Sequence, residues 1–223
     1  MNIYSHSIRI LNLNIAGRIM RKKPKQQRAK IIVEHILLAT QQCIAVHGLL
    51  QQLTTPKIAE RSGVAVGSIY QYFENKEQIV EALLLQKSEQ LGLAFKQLVV
   101  QTEADSIYEI IPICIQFGFD TLKADQGFFI EVLKQWHHYS QSDASAVLEK
   151  HFFEVGMYLF NRYYSHWNFE ILKNKSFVII NSTLFTIMRY VSNNNFLITE
   201  QQLKKELTLM ILAYLDVESS NAK

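Results

Sequence analysis

The stretch TTPKIAERSGVAVGSIYQYFENK, residues 54–76, decides the fold. Thr54 and Thr55 stand before Pro56. A Thr at a helix start accepts a hydrogen bond from a free backbone N–H, and Pro in the first turn gives up a donor that has no intrahelical partner anyway. A short helix therefore runs from about Thr55 to Ser62, and Gly63 stops it, because Gly enters the left-handed region without strain. After the turn Gly63-Val64-Ala65, a third helix runs from about Val66 to Tyr72. Asn75 then opens a fourth, with Gln78 at the N3 position of a capping box. Two short helices joined by a tight Gly turn, braced by a helix on each side, form the geometry of a helix-turn-helix.

Upstream, Ile32, Ile36, Ala39 and Cys43 recur at intervals of 4, 3 and 4, which puts them on one face of a first helix from Arg28. Gly48, after His47, fits its C′ position. Residues 1–27 show no sustained period and end in the basic run Arg21, Lys22, Lys23, Pro24, Lys25. Such a run reads as a solvated arm or, beside a DNA-binding module, as one that reaches phosphates or a minor groove. A start at Met20, with residues 1–19 outside the native protein, is a further reading.

Downstream, the fourth helix extends to about Val100, and helices follow over about 106–123, 126–140, 144–167 and 176–192. Pro112 lies in or near the start of the fifth, which therefore kinks or begins later. The eighth places Phe177, Ile180, Leu184, Ile187 and Val191 on one stripe, and Asn193 to Asn195 break it. Thr199 and Gln202 form another capping box and open a ninth helix, with Leu203, Leu207, Met210 and Tyr214 on a stripe. No strand-like alternation persists and no repeat is visible. The fold class is all-α, with about nine helices.

Composition agrees. Gly and Pro number 8 and 3 among 223 residues, too few for the frequent turns of sandwiches and barrels. A hydrophobic fraction of 48% suffices for a sizeable core. The net charge of +3 hides an asymmetry: residues 1–80 carry 11 Lys/Arg against 4 Asp/Glu, and residues 81–223 carry 12 against 16. The front is thus +7 and the remainder −4. A basic front implies an anionic partner gripped by one end, nucleic acid or an acidic membrane surface. Cys43 and Cys114 sit among apolar neighbours and read as buried free thiols in a reducing cytosol. No window reaches the roughly 18 apolar residues of a membrane span, and the N-terminus has no compact apolar core of a signal peptide.

The run Ile58-Ala59, then Ser62 through Phe73, then Lys76, with Thr54 four residues before the Ile-Ala pair, resembles the DNA-binding module of TetR-family transcriptional regulators. The resemblance is detailed over residues 28–85. It implies a helix-turn-helix DNA-binding domain at 28–75, behind the basic arm of 1–27. It further implies a larger helical effector-binding and dimerisation domain at 76–223. The partners implied are a double-stranded, pseudo-palindromic operator, a small-molecule effector and a second copy of the chain. The copies would pair through the last two helices, about 176–192 and 199–216. Repression is the commoner sign in the family, in the cytoplasm, with no catalysis and no cofactor. Carried over, Thr54 and Thr55 cap the second helix and touch phosphate. Gly67 and Ser68 enter the major groove, Tyr70, Gln71 and Tyr72 occupy contacting positions, and Lys76 clamps phosphate. Ile58, Ala59, Val64, Ile69 and Phe73 match the module's own core. Ala65 departs from the pattern, standing where a capping Ser or Asn is common, and Pro56 and Val66 occupy places where many relatives carry a polar or basic base-reading side chain. A solvated helix surface is the plain alternative for each polar residue. A helical small-molecule or lipid carrier that has lost specific readout is the alternative function.

The rear helices are rich in aromatics. The seventh has Leu148, Phe152, Val155, Leu159 and Tyr163 on one stripe and Phe153, Met157, Phe160, Tyr164 and Trp167 on another. Each reads as core. With the resemblance, Phe117, Phe129, Trp136, Tyr139, Phe160 and Tyr164 become the expected lining of an apolar effector pocket, with Tyr139, Tyr164 and His138 as polar handles. No metal site is expected: His137 and His138 are adjacent and point about 100° apart on a helix, and His151 with Glu154 has nothing to complete a set. No nucleophile elbow, P-loop or dinucleotide fingerprint occurs.

Overall fold

The computed structural model describes residues 19–47, 52–125, 127–135, 139, 141–192 and 197–216. Among the described residues the regular structure is entirely helical: α1 (Gln27–His47), α2 (Thr55–Ser62), α3 (Val66–Tyr70), α4 (Lys76–Gln101), α5 (Ile107–Ala124), α6 (Phe128–Lys134), α7 (Asp143–Tyr163), α8 (Phe169–Ser192) and α9 (Glu200–Asp216). They divide into two compact units, one of residues Met1–Leu91 and Gln126–Leu148, the other of Gly92–Asp125 and Glu149–Lys223. The expected boundary after residue 75 falls inside the first unit. There α4 carries the core onward through Ile79, Val80, Ala82, Leu83, Leu84 and Leu85, all buried.

In the first unit, α1 packs on α2 and α6. The expected stripe is half of its buried arc. Ile36, Ala39 and Cys43 are buried, and so is a second stripe of Val33, Leu37, Thr40 and Ile44. Covered from two sides, α1 needs the wider arc. α2 has the bounds read from sequence. α3 ends at Tyr70 rather than Tyr72, because the N–H groups of Tyr72 and Phe73 both turn back onto the Ile69 carbonyl, at 2.9 and 3.0 Å. α6 is far shorter than the expected 126–140: Gly127 precedes it at φ 83°, and Gln135 closes it in a turn onto the Val132 carbonyl. Gly48, Trp136, His137, His138 and Asn193–Asn195 lie outside the described residues.

In the second unit, α5 packs against α8 and α9. Pro112 lies within α5 and the helix runs through it. Sitting exposed in the second turn, it removes one hydrogen bond, to the Tyr108 carbonyl. α7 stops at Tyr163, so Tyr164 and Trp167 extend no helical stripe. Both lie in a tight turn in which Trp167 N–H reaches the Tyr164 carbonyl (3.0 Å) and the two rings stack at 4.2 Å. Asn168 then caps α8 by accepting from Ile171 N–H (2.9 Å), which starts that helix at Phe169, well ahead of residue 176. The expected stripe of α8 also mixes two faces. Ile187 is buried, with Leu172, Lys175, Ser176, Ile179 and Met188, whereas Phe177 is 67% exposed. On α9 the buried line is Leu207, Ile211 and Leu215, and Met210 and Tyr214 face outward.

Candidate nucleic-acid interface

Thr54 adopts the extended backbone of an N-cap (φ −135°, ψ 150°), and its Oγ1 accepts from Lys57 N–H at 3.4 Å. Pro56 falls in the first turn, where its missing N–H costs nothing. Gly63 ends α2 at φ 67°, ψ 15°, the left-handed conformation that a Cβ would strain. The Ser62 hydroxyl locks the turn, accepting from Val64 N–H (3.2 Å) and donating to the Ala59 carbonyl (3.3 Å). α3 then starts from Ala65, which is extended and supplies no side-chain cap. Its N–H groups at Ser68 and Ile69 both turn to the Ala65 carbonyl. Asn75 accepts from Gln78 N–H (2.9 Å) and Gln78 accepts from Glu74 N–H (2.8 Å), so the capping box reaches one residue further back than the standard form.

Packing divides the module's side chains. Ile58, Ile69 and Phe73 are fully buried, and Ala59 and Val64 are half-buried. Thr54, Pro56, Val66, Gly67, Tyr70 and Gln71 are exposed, and Ser68 and Lys76 are half-buried. Thr55 and Tyr72 behave differently from the other expected contacts, being 7% and 8% exposed. Any contact through their side chains is confined to that remnant. A Cβ built on Gly67 would meet no atom within 4 Å. Nothing inside the chain therefore requires Gly there.

The module's cations are partly committed. Lys57 Nζ donates to the Gln52 carbonyl (3.0 Å) and Arg61 Nε to Gln42 Oε1 (2.9 Å), which braces α2 on α1. Lys76 Nζ lies 3.9 Å from the Glu77 carboxylate. Such a solvent-facing pair is weak and yields readily to a phosphate. Sequence reasoning missed one feature of this surface. Met20 is buried, and Arg21 N–H donates to the Tyr72 carbonyl at 2.9 Å. No local pattern announces a backbone bond between residues 51 positions apart.

The described members of the expected pocket set belong to both units. In the first unit, Phe129 is buried edge-on to Phe128, and Lys87 Nζ lies 5.4 and 5.9 Å from the centroids of Phe128 and Phe129. Tyr139 is also buried there, its hydroxyl pushed up to about 12 by burial and then by Glu77 and Glu81. In the second unit, Phe117 stacks on Phe95 (5.3 Å), which also meets Phe152 (5.2 Å). Phe160 is buried, and burial raises Tyr164 to about 12. Trp136 lies outside the described residues. No group of three metal-ligating side chains occurs among the described residues. Glu154 instead pairs with Lys150 at 3.8 Å.

Comparison with known proteins agrees with the module. Residues 36–83 match the family model for bacterial regulatory proteins of the tetR family. No curated protein matches the sequence. Among solved structures, the fatty acid degradation regulator FadR from Bacillus halodurans is similar over 81% of this chain and 94% of its own, with 22% identity and a TM-score of 0.63. FadR from Bacillus subtilis, solved in complex with stearoyl-CoA, is similar over 80% and 96%, with 20% identity and a TM-score of 0.59. A TetR-family transcriptional regulator from Streptomyces coelicolor is similar over 82% and 97%, with 17% identity and a TM-score of 0.58.

Proposed function

We propose, from the match of residues 36–83 to the tetR family model and the fold shared with a TetR-family transcriptional regulator, that the chain is a ligand-responsive repressor of that family. It binds a pseudo-palindromic duplex as a homodimer and is released by a small, mainly apolar effector. The observation that carries this reading is the division of the helix-turn-helix. Its apolar residues Ile58, Ile69 and Phe73 are fully buried, while Thr54, Gly67, Tyr70 and Gln71 are presented outward around the start of α3 and its C-terminal turn. α3 enters the major groove with Gly67 and Ser68 leading, and Thr54 and Lys76 grip phosphates on either side. Gln71 is the one exposed side chain of the set with bidentate amide chemistry, so direct base reading rests on it.

Two further observations support the rest. Phe177, Val178 and Phe185 of α8 are exposed and lie within about a 100° arc of that helix. Leu209, Met210 and Tyr214 are exposed on α9. Apolar side chains so placed suit a second copy of the chain, which would set the two α3 helices about one DNA turn apart, roughly 34–36 Å. For the effector, the aromatic richness of the second unit favours an apolar body, and stearoyl-CoA bound to the Bacillus subtilis relative is a molecule of that kind. Release follows if the effector binds better to a dimer whose α3 helices are spaced wrongly for DNA. No described helix is long and apolar enough to cross a membrane, and a cytoplasmic location goes with a DNA partner.

The test is a gel shift with the DNA flanking the protein's own gene, at stated salt. Retardation well beyond that of random duplex supports the reading, and equal, weak retardation of both defeats it. That second result belongs to the carrier alternative, which the uncapped Ala65 and the exposed apolar Pro56 and Val66 favour.

A further inference from the structure

The positive charge of the front and the helix-turn-helix do not coincide. Residues 54–76 carry Lys57, Arg61 and Lys76 against Glu60 and Glu74, a net of +1, and the first two cations are held by Gln52 and Gln42. Residues 21–30 carry Arg21, Lys22, Lys23, Lys25, Arg28 and Lys30 with no acidic residue. Most of the charge able to neutralise a polyanion therefore lies ahead of the module. Where it lies is fixed at both ends. Met20 is 7% exposed, and Arg21 N–H donates to the Tyr72 carbonyl at the C-terminal turn of α3. Six residues later α1 begins at Gln27, a span of at most about 20 Å for extended chain. Between the two anchors, Arg21, Lys22, Lys23 and Lys25 are exposed, and none makes an ion pair or side-chain hydrogen bond with the described residues.

We infer that residues 21–25 are a cationic strap that grips the phosphates flanking the groove entered by α3. This deepens the proposed function and rests on it. A recognition helix that leads with its N-terminal residues carries its C-terminal turn toward the groove's rim, where the sugar–phosphate backbone runs. The strap is tied to that turn. Both of its ends are ordered before DNA arrives, so gripping phosphate costs less conformational entropy than ordering a free tail. The strap carries no sequence information; it adds affinity that falls with salt, because each neutralised phosphate releases counterions.

The experiment titrates the full chain against a flanking duplex and a random duplex by fluorescence anisotropy, from 50 to 300 mM KCl. The variant R21Q/K22Q/K23Q/K25Q removes the charges while leaving Met20 and the Arg21 N–H in place. A control, K96Q/K173Q/K205Q, removes exposed charges of the second unit. With about 0.9 unit of log–log salt slope per phosphate, the strap variant should lose roughly two to four units per protomer on both duplexes. Its thermal midpoint should be unchanged and the control's slope should stay near wild type. A slope unchanged in the strap variant, or reduced equally in the control, overturns the strap and leaves the regulator reading intact. A wild-type chain that binds neither duplex overturns both.

Discussion

Gly67→Ala separates what the chain needs from what its partner needs. Gly67 is the second residue of α3, it is exposed, and an added Cβ meets nothing within 4 Å. Its φ is not in the left-handed region, since Gly63 and Gly127 alone are positive among the described glycines. Alanine therefore fits without strain, and it removes the excess backbone freedom that glycine gives the unfolded chain. The gain is about 0.4–1 kcal/mol, which for a chain of this length raises Tm by roughly 1–4 °C. On DNA the same methyl stands between α3 and the base edges. Forcing a methyl into a closely packed contact costs about 1–3 kcal/mol, or roughly 5- to 150-fold in Kd. The variant should thus melt higher and bind more weakly, with an unchanged salt slope because no charge is removed. Calorimetry and anisotropy on one preparation read both. A higher Tm with unaltered affinity would refute the close approach of α3 to DNA. A lower Tm would refute the claim that nothing inside the chain requires glycine there.

Gly92→Ala should do the reverse. Its Cβ would fall 2.3–2.5 Å from His151 Cγ, Cβ and Cδ2, so thermal unfolding should show a loss of about 1–3 kcal/mol, and adding His151→Ala should restore little of it, because alanine keeps the Cβ at 2.4 Å. Ala65→Ser supplies the side-chain cap that α3 lacks and should stabilise by about 0.5–2 kcal/mol, read as a denaturant midpoint shift with the m-value unchanged. Phe177→Asp, at a residue 67% exposed in the single chain, should convert a dimer to monomer in sedimentation while helix content holds; a persistent dimer would remove α8 from the interface. Cys114 is pushed up to about 12 by burial, so its neutral thiol favours the fold. That stability is complete below about pH 9, where the unfolded thiol ionises, and is lost as pH rises toward 12. Denaturant midpoints between pH 8 and 11 should fall less steeply in Cys114→Ala than in wild type.

Features fixed by neighbours in sequence were readable from it. Thr54 before Pro56, Gly63 after Ser62, Asn75 with Gln78 and Thr199 with Gln202 each satisfy backbone groups within four residues, and each occurs where its side-chain chemistry places it. Features fixed by packing were not. Asn168 as the cap of α8 was masked by the aromatic run before it, which continues a helical stripe on paper although the chain turns at Tyr164. The apolar spacing of α8 merged a buried face that meets α5 with an exposed one, and Phe177 fell in the wrong group. Lys175 gave no sign of its setting. Only 4% exposed, its ammonium donates to the Tyr214 carbonyl and lies 5.3 and 4.2 Å from the Trp167 and Tyr214 ring centroids. α9 has no basic residue in its own last turn, so a cation from another helix answers its terminal carbonyls and the dipole behind them.

The charge of the front acquires a different meaning once it is mapped. A surplus of +7 over residues 1–80 looks like the property of the helix-turn-helix, yet the hairpin itself is nearly neutral and spends two cations on Gln42 and Gln52. Its contribution must then be shape: a rigid turn at Gly63, a narrow leading edge at Gly67 and one amide at Gln71. Shape alone discriminates but attracts weakly, whereas a run of lysines attracts every duplex and discriminates none. Joining the two through Met20 and a single backbone bond to Tyr72 lets affinity and selectivity be set by different residues. Substitutions in the strap should therefore change the salt slope of binding without changing which sequence the protein prefers, and substitutions at Gly67 or Gln71 should change affinity and preference while leaving that slope unaltered.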